Sequence, residues 1–232
     1  MVVPGFEDFR DEEGAPFYRS SVRAFATPEA TLVEILRRFR SVMLGALEAA
    51  ERRPVAIEVG DVLAWHRAIF ASTFPHEAGE VRSGPTWFGV RWREHETLRR
   101  RMVEGVEPRH VRDDLWQVLK RYNDELRSRR PRERSLREAL GAAAQLYAEL
   151  LTIHPFEDGN LRAAFPALQT ALLSLGAPAV HFHGAVAEHD EALGWALRPD
   201  AEMRTIQPFV DLLKKRIAES SGMGTGGVPW MS

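Results

Sequence analysis

The chain has 232 residues, 44% of them apolar and 28% charged, enough to bury a core as one large domain or two small ones. A formal net charge of −2 excludes a whole-molecule field for nucleic acid, and no apolar stretch approaches the roughly 18 residues that span a bilayer. With no cysteine there is no disulfide framework, thiol nucleophile or thiolate metal site, which fits a reducing compartment.

Residues 1–20 are mixed polar with Gly and Pro and are expected to form an irregular arm. They lack the basic start and apolar run of a secretory signal, so a cytoplasmic location is expected. Thr27-Pro28-Glu29 reads as a helix start, with Thr as cap, Pro at the first position and an acid in the first turn. Leu32, Ile35, Leu36, Phe39, Val42, Met43 and Leu47 then recur at helical steps until Arg53-Pro54. A second helix begins at Gly60-Asp61, with Val62, Leu63, Ile69 and Phe70 as core. His66 on this helix is expected to be a packed or hydrogen-bonded histidine. Pro75, Gly79, Gly84, Pro85 and Gly89 then punctuate Val81, Trp87, Phe88 and Val90, which predicts a hairpin or structured loop at about 79–90.

Residues 91–130 return to helical spacing, with Pro108 and Pro131 bracketing a stripe from Val111 to Leu126. The span from Arg91 to Arg137 is basic, as a solvated helical face or, less simply, a surface for an acidic partner. Ser135 with Glu138 matches a capping box, and the helix it opens carries small residues from Gly141 to Ala144. Another helix follows over LRAAFPALQTALLSLG, disturbed by Pro166 and capped by Gly176. Two further helices, AVAEHDEALGWAL and TIQPFVDLLKKRIAE, precede a tail from 219 expected to be flexible. Trp92, Trp116 and Trp195 are read as core, and His181-Phe-His183 with His189 as a weak metal candidate. The whole predicts one all-α domain over 21–218 with a single β-like insertion.

Between two apolar helical runs lies LTIHPFEDGNLRA, residues 151–163. The first amides of a helix have no internal partner and carry positive potential, so this junction suits a phosphate. Gly159 lets backbone approach a ligand, and Arg162 can add a charge-assisted contact. Asp158 is a hard oxygen donor suited to Mg2+ shared with phosphate, and His154 can take a proton near neutrality. A base, a metal ligand and an anion site together point to phosphoryl or nucleotidyl transfer.

HPFEDGNLR resembles the Fic/Doc family signature His-Pro-Phe-x-(Asp/Glu)-Gly-Asn-Gly-Arg-x-x-Arg, and HRAIFASTFPHEAGEVR resembles the segment leading into that family's β-hairpin flap. The resemblance spans roughly 55–215 and implies a Fic-fold helical bundle with a small flap. It implies a protein adenylyltransferase that moves AMP from ATP, with Mg2+, to a Ser, Thr or Tyr hydroxyl of a target protein. His154 would be the general base, Asp158 the metal ligand, and Gly159, Asn160, Leu161 and Arg162 the nucleotide and phosphate contacts. Phe156 would pack inward. Arg82, Ser83, Gly84, Trp87 and Phe88 would hold an extended target segment by main-chain pairing.

Two positions depart from the signature. Leu161 stands at its third glycine and Phe165 at its second arginine. The Doc branch also departs there, with Lys for the glycine, and it carries Ala at the place of Gly159; it phosphorylates its target. The chain lies between the two patterns, so the alternatives are a catalytically silent Fic-fold binding or scaffold protein, a Doc-like phosphotransferase, or an altered-donor enzyme. The family's inhibitory pattern, (Ser/Thr)-x-x-x-Glu-(Gly/Asn), has no convincing copy in the chain, so the glutamate would come from a separate antitoxin-like partner or this control is missing. A homodimer is a further expectation.

Overall fold

The computed structural model describes residues 29–182 and 186–222. Seven α-helices and one antiparallel hairpin follow in the order α1 (Glu29–Arg52), α2 (Val59–Phe70), β1 (Trp87–Glu94), β2 (Thr97–Glu104), α3 (Val111–Ser128), α4 (Leu136–Ile153), α5 (Asn160–Ser174), α6 (Val186–Leu197) and α7 (Gln207–Gly222). The Thr27-Pro28 cap, His183 and the terminal arm and tail beyond these limits lie outside the described residues. The expected all-α class holds, with the small sheet as its β element.

Helix α5 is the axis of the fold. It is apolar almost all round, the pattern of a helix with no solvent face, and Ala163, Ala164, Phe165, Ala167, Leu168 and Leu172 are all buried. Helices α1, α2 and α4 enclose it. The alanines let these neighbours come close without a void. Pro166 is accommodated within α5, which continues to Ser174. Its end is a Schellman turn: Gly176 at φ +90° donates to Leu173 O at 3.0 Å, and Ala177 to Leu172 O at 2.8 Å. Helix α4 begins as expected, Ser135 Oγ accepting from Glu138 N while the Glu138 carboxylate accepts from Ser135 N.

Irregular segments are pinned to helices by buried carboxamides, each satisfying the N–H and C=O of one facing residue. Asn123 does this to Ile57 (3.0 and 3.0 Å) and Gln169 to Val180 (3.0 and 2.7 Å). An unpaired buried amide would cost about 1–3 kcal/mol, so each clip holds a loop in one register.

The hairpin departs from expectation. Its strands occupy 87–104, so residues 91–104 are β and not helical, while the punctuated stretch 79–86 is the approach to it. Trp87 pairs with Glu104 and Glu94 with Thr97. Phe88, Val90 and Trp92 turn toward the body, alternating with more exposed neighbours, which is the period of a strand. Trp116 is also corrected: it is 55% exposed on α3, because the buried stripe is Val111, Leu115, Val118 and Tyr122. Trp92 is core as expected, and α7 continues three residues past Glu219.

Helix α6 fastens β1. A Cβ at Gly194 would lie 1.7 Å from the carbonyl oxygen of Arg91, so only glycine permits this approach. Arg91 pairs with Asp190 (2.9 Å) and Arg93 with Glu191 (3.0 Å). The buried Arg198 guanidinium stands 5.1 Å from both the Trp92 and Trp195 rings.

Candidate active site

The turn between α4 and α5 is built around two backbone conformations that helices reject. His154 ends α4 at φ +53°, ψ +61°, and Gly159 precedes α5 at φ +76°, ψ +10°. For His154 this left-handed geometry costs on the order of 1 kcal/mol, which surrounding contacts must hold. Gly159 has a second constraint: a Cβ there would sit 2.3 Å from Cε2 and 2.5 Å from Cζ of Phe70.

Within the turn, Asn160 is an internal clip. Its Oδ1 accepts from Phe156 N and its Nδ2 donates to Phe156 O, both at 2.8 Å. Gly159 N donates to Asp158 Oδ1 at 2.6 Å. Phe156 is fully buried and stacks on His66, ring centroids 3.8 Å apart and 7° from parallel. His66 Nδ1 accepts from Gly79 N (2.9 Å), so its proton sits on Nε2, which faces Asp158 O at 2.9 Å. The expectation of a packed, hydrogen-bonded His66 holds, with main-chain partners no sequence spacing would single out.

A cavity of about 520 Å³ opens between this turn, the hairpin and α6. His154, Asp158, Gly159, Asn160 and Leu161 line it from the turn, and Trp87, Phe88 and Val90 from β1. Asp190, Leu193, Gly194 and Leu197 of α6 form the remaining wall. These α6 residues had no sequence signal, because tertiary packing alone carries them to the turn.

The His154 imidazole stacks on Phe88, centroids 4.5 Å apart and 2° from parallel. Its Nδ1 lies 3.3 Å from Leu151 O; the tautomer that donates there leaves Nε2 as an acceptor. Burial lowers the His154 pKa from 6.5 to about 4, the Arg82 charge adding to the fall and the Leu151 contact opposing it. At neutral pH the ring is therefore uncharged, the state a general base requires. His66 is lowered to about 4 as well, chiefly by burial, opposed by its Asp158 contact.

Two expected contacts are placed elsewhere. Arg82 is buried, not displayed on the flap: it donates to the carbonyls of His154 (2.6 Å), Gly84 (2.7 Å), Ile153 (3.3 Å) and Val106, while its own N–H reaches Pro155 O at 2.9 Å. Five donors in a rigid fork explain why an arginine is drawn inward at this position. Arg162 is 2% exposed, its guanidinium 5.6 Å from the Phe70 centroid, and is not among the residues lining the cavity. Phe165 lies in the core with Phe182 and Tyr147, so an arginine at that place would be buried among rings. Ser83 and Gly84 lie on the approach to β1, Ser83 exposed and Gly84 half-buried. The residues at the other metal candidate are also placed: His189 is buried between Tyr147 Oη (3.2 Å) and Asp190 Oδ1 (3.0 Å), and the described residues contain no cluster of three metal-ligating side chains.

The cavity wall carries three carboxylates, Glu157, Asp158 and Asp190, against one guanidinium, Arg91. Glu157 and Asp158 stand on the turn beside the α5 amides, and Asp190 faces them from α6. Asp158 offers a hard oxygen donor at this wall, its Oδ1 also accepting from Gly159 N, and Mg2+ can take its remaining ligands from phosphate and water. The donor set at Asp158 thus fits Mg2+.

Helices enclosing His154 and the N-terminus of α5 beneath a short hairpin define a Fic-type fold. A family model described as the Fic/DOC family matches residues 56–172, half of the chain. The chain belongs to the Fic/DOC family. The protein adenylyltransferase fic-1 of Caenorhabditis elegans is 27% identical over 124 residues, 53% of this chain and 21% of that protein. The protein adenylyltransferase Fic of Nematostella vectensis is 28% identical over 125 residues, 54% of this chain and 25% of that protein. The matches thus span about a fifth to a quarter of these relatives' length. Among solved structures, a Fic domain containing signaling protein from Bacteroides thetaiotaomicron superposes with a TM-score of 0.64 at 18% identity, covering 84% of this chain and 71% of that one. Fic-1 of C. elegans (residues 134–508, E274G) gives 0.61 at 20%, covering 90% and 55%. At these identities both likenesses concern the fold.

Proposed function

We propose that the chain transfers AMP from ATP to a Ser, Thr or Tyr hydroxyl of a target protein. One observation carries the reading: a neutral imidazole with an available Nε2 and the N-terminus of α5 line the same cavity. The target oxygen attacks the α-phosphorus, its proton passes to His154 Nε2, and the bond to pyrophosphate breaks. Phe88 limits rotation of the His154 ring. The first-turn amides of α5 bind phosphate, helped by the helix dipole, and Gly159, where no Cβ fits against Phe70, holds the turn that presents them. Asp158 would hold Mg2+, which when bound would offset charge between the phosphates and the acidic wall. The cavity-facing part of β1, Trp87 to Val90, receives the target segment, with Ser83 and Gly84 at its root.

Leu161 supports a second reading. Leu161 lines the cavity in the first turn of α5 while packing partly against the core, at a place where a glycine would leave more room for phosphate. With Phe165 in the core, this favours altered donor use or a silent binding module.

The test is labelling of lysate proteins with α- and γ-labelled ATP and Mg2+, beside His154→Ala. Label from the α position that requires His154 is expected. Label from γ alone would establish a Doc-like phosphotransfer instead, and no label with no nucleotide binding would leave a scaffold.

A further inference from the structure

The stretch from His66 to Arg82 supplies two buried polar side chains to the motif turn, and the transfer chemistry uses neither. We infer that His66 and Arg82 are positioning residues that hold the two ends of the 154–159 turn by its carbonyls, His66 at Asp158 and Arg82 at His154. The inference rests on the transfer reading only for its kinetic consequences.

At the first end, His154 sits in a left-handed conformation that its own side chain does not favour. Arg82 takes the carbonyls of Ile153 and His154 while its main-chain N–H takes Pro155 O, so three consecutive peptide oxygens are fixed by one residue. The same guanidinium binds Gly84 O and Val106 O, at the two roots of the hairpin. Flap and base therefore share one anchor, consistent with the parallel stack of Phe88 on His154. A Cβ at Gly105 would lie 3.0 Å from Arg82 Nη2 and 3.3 Å from His154 Cβ, which shows how closely the anchor is packed. A lysine cannot reproduce such a fork.

At the second end, His66 has a tautomer set by Gly79 N–H and one remaining donor, which is aimed at Asp158 O. That carbonyl precedes Gly159, the residue that turns the chain into α5. Holding it orients both the Asp158 carboxylate and the amides that follow. Stacking on Phe156 fixes the imidazole plane.

Isosteres separate positioning from mere packing. Glutamine at 66 places an N–H where His66 Nε2 stands and keeps the Asp158 contact. Asparagine keeps an acceptor for Gly79 and loses Asp158. His66→Asn is expected to speed amide hydrogen exchange across 157–162 at least tenfold and to weaken binding of a nonhydrolysable ATP analogue with Mg2+ about tenfold, with His66→Gln near wild type on both. Arg82→Lys is expected to change the 15N shifts of His154 toward mixed tautomers, and to lower kcat at least tenfold with KM for ATP within twofold. Equal exchange in the Asn and Gln variants would overturn the role of His66. Wild-type His154 shifts in Arg82→Lys would overturn that of Arg82. If the wild-type chain binds no nucleotide, the transfer reading fails, yet exchange and 15N shifts still decide the positioning roles.

Discussion

Gly159→Ala is the sharpest perturbation the site offers. An alanine at φ +76° carries the left-handed penalty, about 1–2 kcal/mol. Its Cβ would also enter the Phe70 ring, 2.3 and 2.5 Å from two carbons, where contact distances are near 3.5 Å. Relief requires a shift of a fully buried ring, and overpacking of this kind costs about 1–3 kcal/mol. The two effects predict a loss of about 2–5 kcal/mol, a large share of the stability of an ordinary domain. Urea unfolding followed by circular dichroism measures it through the midpoint at constant slope. The steric part is isolated by repeating the substitution in a Phe70→Leu background, where the cost should fall toward the conformational part alone, about 1–2 kcal/mol. A loss below about 1 kcal/mol, or an equal loss in both backgrounds, would disprove the clash with Phe70. It would also leave unexplained why Gly159 stands where the Doc pattern has alanine.

Leu161→Gly should tighten binding of an ATP analogue, measured by calorimetry, while lowering stability by up to about 1 kcal/mol for glycine in a helix; unchanged or weaker affinity would show that the leucine is accommodated. His66 and His154 both hold folded pKa values of about 4 against 6.5 unfolded, so the unfolded chain binds protons that the folded chain refuses. Stability should therefore be full above pH 6.5 and decline as pH falls toward 4, by about 3 kcal/mol from the buried His66 alone, and a flat urea midpoint between pH 7 and 4.5 would contradict this. The carboxylates of Glu34 and Glu138, lowered to about 2, act in a more acidic window and leave that interval to the histidines. Gly194→Ala should detach β1 from α6, because its Cβ cannot stand 1.7 Å from a carbonyl oxygen. A loss of at least about 2 kcal/mol in thermal unfolding is expected, and a melting temperature within a degree of wild type would show that the strand yields freely.

The helices were legible because their signals are local: apolar stripes, the Ser135 capping box and the Gly176 terminus. The second half of the hairpin was not. TLRRRMVE has few buried positions, so alternation is faint, and its turn, His95-Glu96, lacks Gly, Asn or Asp. His95 adopts φ +53° without the residue type that announces it. The motif turn was legible as a place, and His154, Gly159 and Leu161 line the cavity there. What a side chain does within it was harder to read. Asn160 and Arg82 look like ligand-binding groups in sequence, yet both address backbone, and Arg162 turns toward Phe70. A charge written in a sequence does not say whether its partner is a ligand or a carbonyl. Trp116 shows the converse, an aromatic on the polar side of α3.

The hairpin is fastened asymmetrically. Strand β1 is riveted to α6 by two ion pairs and a close backbone contact at Gly194, whereas β2 packs chiefly on β1. A force on the hairpin would therefore load the two strands unequally. The outer strand is the one able to peel, while the inner strand keeps Phe88 seated on His154. The rivets are partly exposed and weaken in salt, so raised ionic strength should loosen the hairpin while leaving the His154 stack beneath it unaffected.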